Sequence, residues 1–243
     1  MDSAFPEQII EKAGLGSLFQ KLSFRVLSTN YSVKDIFNTG EKHVRQFVTE
    51  GFFKESLSGD MKILEIGCGV GRLSRSFSDI FKEVHAVDID QEMVGLSKIL
   101  HQDRKNLYFH KVDGSGLASF EDNSFDYVFS YYVFQHIRNM KNIINYFNEI
   151  HRILKPKGLF QIQVRGRLPG FWKNIIPVSL YNLALEKQYD CLFDRLRGKK
   201  WHQNRGCRLS SSMLRDLVKS TNLEVLDIKN RTESELWVYG RKK

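Results

Sequence analysis

The chain has 243 residues, a length that fits one large α/β domain with elaborations better than two independent cores. It is 42% hydrophobic and 27% charged with four prolines, which excludes disordered, collagenous and coiled-coil classes. The net charge of +9 is concentrated, because residues 166–209 hold nine Lys and Arg against three Asp and Glu while the flanking parts are close to balance.

Two helical stretches are expected first, residues 5–27 and 33–55, the second with Val33, Ile36, Phe37, Val44, Phe47 and Val48 at three- and four-residue spacing. Alternation of strand and helix follows: strand Met61–Ile66, helix Arg72–Phe81, strand Val84–Val87, helix Gln91–His101, strand Leu107–Val112 and strand Phe125–Ser130. The short apolar runs suit central strands of a parallel sheet covered on both faces. A helix over Asn142–Leu154 is expected to stop at a turn, Lys155-Pro-Lys-Gly158, that launches the strand Leu159–Val164. After an insertion at 166–209 come a serine-capped helix, Ser210–Thr221, and two strands, Leu223–Ile228 and Leu236–Tyr239, joined by a polar hairpin turn. The organisation expected is an N-terminal helical cap (1–58), a ligand-binding core (59–165), a lid or substrate insertion (166–209) and a helix and hairpin completing the core (210–243).

Three cysteines, Cys68, Cys191 and Cys207, form no C-x-x-C pair, so neither a disulfide framework nor a thiolate zinc site is expected. The start, Met1–Glu11, is acidic where a signal peptide would be basic, and no uncharged apolar run approaches the roughly 20 residues needed to span a bilayer. The expectation is a protein of the reducing cytoplasm without a transmembrane segment.

The most informative stretch is Ile63-Leu-Glu-Ile-Gly-Cys-Gly-Val-Gly71, where alternate glycines after a buried strand let the backbone turn sharply and approach a ligand. A dinucleotide fingerprint from Gly67 would need glycine at position 72; Arg72 stands there, against an NAD enzyme. Asp88 ends the second strand, where a carboxylate accepts ribose hydroxyls, and Asp113-Gly114 repeats the arrangement after the third. Singly these residues would be turn or cap residues. Together with the glycine loop they outline a crevice at the carboxyl edge of a doubly wound sheet.

The words Leu64-Glu-Ile-Gly-Cys-Gly-Val-Gly-Arg72, Val87-Asp-Ile-Asp90 with Met93, Asp113-Gly114, Ser124-Phe-Asp-Tyr-Val-Phe-Ser130, Gln135-His-Ile137 and Arg152-Ile-Leu-Lys-Pro-Lys-Gly158 resemble the class I S-adenosylmethionine-dependent methyltransferases of small-molecule type. The resemblance implies a Rossmann-like seven-stranded sheet, mostly parallel with a C-terminal antiparallel strand, and S-adenosyl-L-methionine as cofactor. It implies that Glu65, Gly67, Cys68, Gly69 and Gly71 hold the methionine end. Asp88 would bind the ribose, Ile89 and Met93 would lie against the adenine, and Asp113 would face the adenine amino group with Gly114 beside it. Ser130 and Tyr131 would line the methionine side. Cys68 reads as a small buried filler rather than a nucleophile.

His136 could take a proton near neutral pH or simply pack the following helix, and the residues leave both readings open. Tyr132 and Gln135 share that ambiguity, and Tyr31, Arg165 and Trp172 complete the candidate acceptor residues. The Asn/Asp-Pro-Pro-Tyr word of amino-methylating nucleic-acid enzymes is replaced by Ser130-Tyr-Tyr-Val133. In the insertion the apolar block Phe171–Leu185 precedes the basic cluster, an order that suits a lid better than an interleaved base-stacking surface. The expected activity is methyl transfer to a small, amphipathic or anionic acceptor without a metal. The alternatives are an RNA methyltransferase using the basic 166–209 segment, and a non-catalytic binding subunit built on the cofactor fold.

Overall fold

The computed structural model describes residues 6–27, 32–166, 206–231 and 235–243. Its strands are β1 (Lys62–Ile66), β2 (Glu83–Asp88), β3 (Leu107–Lys111), β4 (Phe125–Ser130), β5 (Leu154–Arg165), β6 (Leu223–Asn230) and β7 (Glu235–Lys242), joined in one seven-stranded sheet of order β3-β2-β1-β4-β5-β7-β6. The described helices are α1 (Pro6–Lys12), α2 (Gly16–Leu27), α3 (Val33–Val44), α4 (Arg72–Ser78), α5 (Gln91–Leu100), α6 (Met140–Ile153) and α7 (Ser211–Ser220). This is the Rossmann-like seven-stranded sheet expected from the sequence, with β7 as its antiparallel strand. None of the described helices is long and apolar enough to cross a membrane. The chain divides into two units, Met1–Gly114 with Ser124–Phe129, and Ser115–Asn123 with Ser130–Lys243.

In the first unit β1 pairs parallel with β2, and β2 with β3. Ile63, Leu64, Val84, Ala86 and Val87 are all buried, as their unbroken apolar runs require of strands covered on both faces. Helices α4 and α5 pack on β2 and β3, while α1, α2 and α3 lie against α5 and α4. Ile9, Phe19, Ile36 and Phe37 from these N-terminal helices join Met93, Leu96 and Leu100 of α5 in one core cluster. Gly40 makes the closest approach, since a Cβ there would lie 2.1 Å from the Arg72 carbonyl oxygen. Residues 112–124 form turns with no helix between β3 and β4.

Boundaries differ from the sequence expectation where side chains or special dihedrals intervene. The 5–27 helix breaks in two at Gly14, whose φ of 65° is left-handed, and Leu15 bonds back to Ile10. The 33–55 helix gives way after Val44 to a wide π turn, Arg45–Thr49. Helix α4 closes at Ser78, where the Asn106 amide donates to the carbonyls of Ser78 and Phe81.

In the second unit α6 starts from Asn139, whose side chain accepts the Lys141 N–H. Arg152 near its end donates to Glu149 and Asp122 and to the carbonyls of Leu117 and Phe120, knitting loop 115–123 to the helix. The expected Lys155–Gly158 turn is instead absorbed into β5: Leu154 caps α6 with extended backbone and starts the strand directly, and the kink is taken up at Lys157, φ 64°. Lys242 Nζ donates to the Leu154 carbonyl and to Asn123, closing the helix end. Strand β7 runs antiparallel to both β5 and β6, and the last two strands extend two to four residues beyond the expected limits. Ser210 caps α7 through the Met213 N–H.

The insertion is anchored at both roots. Gly166 bridges to Leu209, whose N–H donates to the Arg165 carbonyl. Gly206 and Cys207 donate their N–H groups to the carbonyls of Gln135 and Ile137. The expected lid between these roots, with Trp172, lies outside the described residues, as does Tyr31.

Candidate functional site

The first unit builds its site where β1 and β2 end. Gly67, Gly69 and Gly71 all take left-handed φ values, 80°, 54° and 79°, with Cys68 and Val70 between them. The N–H groups of Gly67 and Cys68 both reach the Val87 carbonyl, at 2.7 and 3.0 Å, which ties the loop to the last turn of β2. Ser97 on α5 donates to the Gly69 carbonyl at 2.8 Å.

Asp88 connects the two strand ends. One carboxylate oxygen accepts the Gly69 N–H at 2.8 Å and the other the Asp90 N–H at 2.9 Å. Burial pushes the Asp88 carboxyl above the usual range, and the amides of Asp90 and Gly69 oppose that shift. A carboxylate offers about four acceptor sites, so both oxygens keep capacity for further donors. Next to it Ile89 is 63% exposed, a large apolar side chain in the open, and a Cβ on Gly114 would stand 3.3 Å from its Cγ2. Asp113 is exposed, whereas Met93 is buried in the core cluster.

Glu65 lies under the loop, 2% exposed, accepting the Ser74 hydroxyl at 2.5 Å. Burial raises its carboxyl to about 7, with the Ser74 hydrogen bond and the Arg72 charge pulling the other way. Arg72 is itself buried and bonded to His43 Nδ1 at 2.8 Å. Cys68 is a buried free thiol whose pKa burial drives well above the ordinary value, so it stays protonated and fills space.

The second unit carries the remaining sequence candidates. Ser130 is buried, and Tyr131 is stacked between Tyr132 at 4.0 Å and Trp237 at 5.4 Å between ring centroids. Tyr132 holds a left-handed φ of 63°, uncommon for a non-glycine residue. That strain persists because both ends are fixed: its N–H donates to Gln163 Oε1 and its hydroxyl to Glu235 Oε1, each at 3.0 Å. Gln135 and His136 form a 3-10 turn, Phe134–His136, where the Gln135 amide donates toward His136 Nε2 at 3.3 Å and His136 is exposed. Arg165 ends β5, in register with Glu235.

Sequence reasoning missed Ser74, Ser97, Gln163 and Glu235. Ser74 reaches Glu65 and Ser97 reaches the Gly69 carbonyl from helix positions that carry no sequence signal of their own. Gln163 and Glu235 become site residues only through strand register.

Residues 64–162 match the family described as "Methyltransferase domain". That match runs from Leu64 to Ile162 and leaves the flanking segments outside it. Among curated proteins similar to this chain, "Phosphoethanolamine N-methyltransferase 2" of Caenorhabditis elegans is 33% identical over 50% of this chain and 30% of its own length. "Malonyl-[acyl-carrier protein] O-methyltransferase" of Bacillus anthracis is 28% identical over 53% of this chain and 46% of its own. The chain thus spans less than half the length of these relatives. Its fold is shared with the magnesium protoporphyrin IX methyltransferase of Synechocystis, solved with bound SAH, the demethylated cofactor product: TM-score 0.61, 13% identity, 97% of this chain and 100% of that one. A methyltransferase of Methanosarcina mazei superposes with TM-score 0.58 at 19% identity, covering 78% of this chain and 96% of that one.

Proposed function

We propose that the chain transfers the methyl group of S-adenosylmethionine to a small acceptor that combines an apolar body with an acidic group. The observation that carries the cofactor half is the Asp88 carboxylate, held by two backbone amides at the end of β2 with acceptor capacity left over and the exposed Ile89 beside it. That donor and acceptor set fits a nucleoside: Asp88 would take the ribose hydroxyls, and Ile89 with Gly114 would lie against the base, with Asp113 toward its amino group. Glu65, under the glycine loop, would meet the ammonium of the methionine end, and Ser130 and Tyr131 would flank the methionine side.

The cofactor supplies a methyl group already activated by its sulfonium. What remains for the chain is alignment of the acceptor and, for a protonated nucleophile, removal of a proton. His136, beside Gln135 in the Phe134–His136 turn, would be the base for that step. Tyr132 and Gln135 would orient the acceptor, and Arg165 would meet its acidic group. The insertion roots support this reading, since they fasten the 167–205 segment to the strand end carrying Arg165 and to the turn carrying His136.

The relatives named for phosphoethanolamine and for a malonyl carrier protein share with this reading only an acidic group on the acceptor. The test is calorimetry with SAM and SAH, followed by labelled methyl transfer to panels of amphipathic acids and phosphorylated amines. Arg165→Ala and Trp172→Ala are expected to impair acceptor use while leaving SAH affinity nearly unchanged. Salt-sensitive RNA binding with methyl incorporation into that RNA would overturn the acceptor class. Binding of SAH without turnover on any acceptor would favour a binding subunit.

A further inference from the structure

We infer that His101, outside every residue assigned above to cofactor or acceptor, is a positioning residue that fixes the Val70–Gly71 peptide plane of the glycine loop, with Arg75 and Asp103 setting its tautomer. The inference rests on reading that loop as the cofactor cradle.

A loop in which three glycines take positive φ has little intrinsic preference for the orientation of its peptide planes. Each plane therefore needs an external partner. Gly67 and Cys68 bond to Val87, Gly69 donates to Asp88, and the Gly69 carbonyl accepts from Ser97. The Val70–Gly71 plane is held on both edges: the Gly71 N–H donates to the Cys68 carbonyl at 2.9 Å, and the Val70 carbonyl accepts from His101 Nε2 at 3.0 Å. The Val70 side chain is buried in the cluster under the N-terminal helices, so backbone and side chain of this residue are fixed together.

His101 is 2% exposed, and its ring plane is set by stacking on Phe109 at 5.4 Å and by an edge contact with Phe37 at 5.5 Å. Donation from Nε2 requires the proton on that nitrogen. Arg75 Nη1 lies 3.4 Å from Nδ1 and, being a permanent donor, keeps Nδ1 the acceptor. Arg75 is in turn clamped on both carboxylate oxygens of Asp103, at 3.1 and 3.0 Å. Burial, reinforced by the Arg75 charge, lowers the imidazole pKa to about 4 despite the Val70 hydrogen bond, so the neutral form persists at physiological pH. The loop has a matching feature. A Cβ on Gly71 would lie 2.5 Å from His101 Nε2, so glycine at this position admits the imidazole as well as the turn.

The experiment compares His101→Leu, His101→Gln and Arg75→Met with wild type by SAH calorimetry, thermal unfolding of the cofactor-free chain and amide exchange at Gly71. His101→Leu is expected to weaken SAH binding about tenfold, the scale of one buried hydrogen bond, and to speed Gly71 exchange. His101→Gln, whose amide nitrogen can stand where Nε2 stood, is expected to restore most of the affinity. Arg75→Met is expected to weaken binding less, and to add nothing to His101→Leu in the double variant. Should His101→Leu not fold, His101→Asn, too short to reach Val70, makes the same comparison with Gln. A purely packing role predicts a lowered melting temperature with SAH affinity and Gly71 exchange unchanged and no advantage of Gln, and that result overturns the inference. Asp88→Ala is run in parallel. A loss there with none at His101 removes only the present inference, whereas no loss at Asp88 removes the cofactor reading and this inference with it.

Discussion

At the residue scale the strongest expectation concerns Asp88. Replacing it with Ala removes the acceptor for any ribose donors and also releases the Gly69 amide, so SAH binding should weaken by about 1.5–3 kcal/mol, the range for hydrogen bonds to a charged group. Calorimetry showing equal affinity would take Asp88 out of the site. Glu65 yields a pH prediction. Its folded-state pKa of about 7 stands above the ordinary 4.5, so the folded chain binds more protons than the unfolded one between those values. Its contribution to stability is therefore full below that window and is lost as pH rises through about 7. Thermal unfolding followed from about pH 5 to pH 8 should show a decline that Glu65→Gln flattens, and parallel curves would contradict it. An ammonium bound beside Glu65 would favour its carboxylate, so cofactor binding near neutral pH should release protons in wild type and fewer in Glu65→Gln. The glycines and Asp88 were legible in the sequence because backbone conformation and strand-end position restrict residue type. Ser74, Ser97 and His101 were not, because their roles come from tertiary distance alone.

At the element scale, the alternation of apolar runs predicted the strands to within a few residues, and Phe125–Ser130 without error. What the pattern could not carry were breaks made by single dihedrals, such as Gly14, and carbonyls captured from afar, such as those taken by Asn106. The Lys155-Pro-Lys-Gly158 stretch signalled a turn but is drawn into β5, since strand pairing and the Lys242 clamp act on its neighbours. Helix α3 depends on one position. Gly40→Ala would drive a methyl group into the Arg72 carbonyl, backbone that cannot swing aside, so the chain should lose about 1–3 kcal/mol, as overpacked contacts do. Denaturant unfolding of the variant measures this, and an unchanged midpoint would mean that α3 shifts freely.

At the scale of the whole molecule, the fold class followed from strand and helix order, while the acceptor did not. On the proposed reading, acceptor recognition would rest on side chains that no backbone constraint restricts, those of the 166–209 segment among them. The charge of that segment gives a separate expectation. If its lysines and arginines form a solvated face, RNA should be a poor ligand at physiological ionic strength, and any binding seen at low salt should fall steeply as salt is added. Gel-shift titrations at two salt concentrations check this.

The bridge between Gly166 and Leu209 has a consequence for how such a chain diversifies. The insertion leaves and re-enters the sheet at adjacent points, and closing a loop between neighbouring ends costs little more for a long segment than for a short one. The proposed acceptor role of residues 167–205 would then make them exchangeable as a cassette. A short glycine-serine link in their place should preserve folding and SAH binding while abolishing acceptor use, and a graft of different sequence between the same two roots could redirect the methyl group to a new recipient.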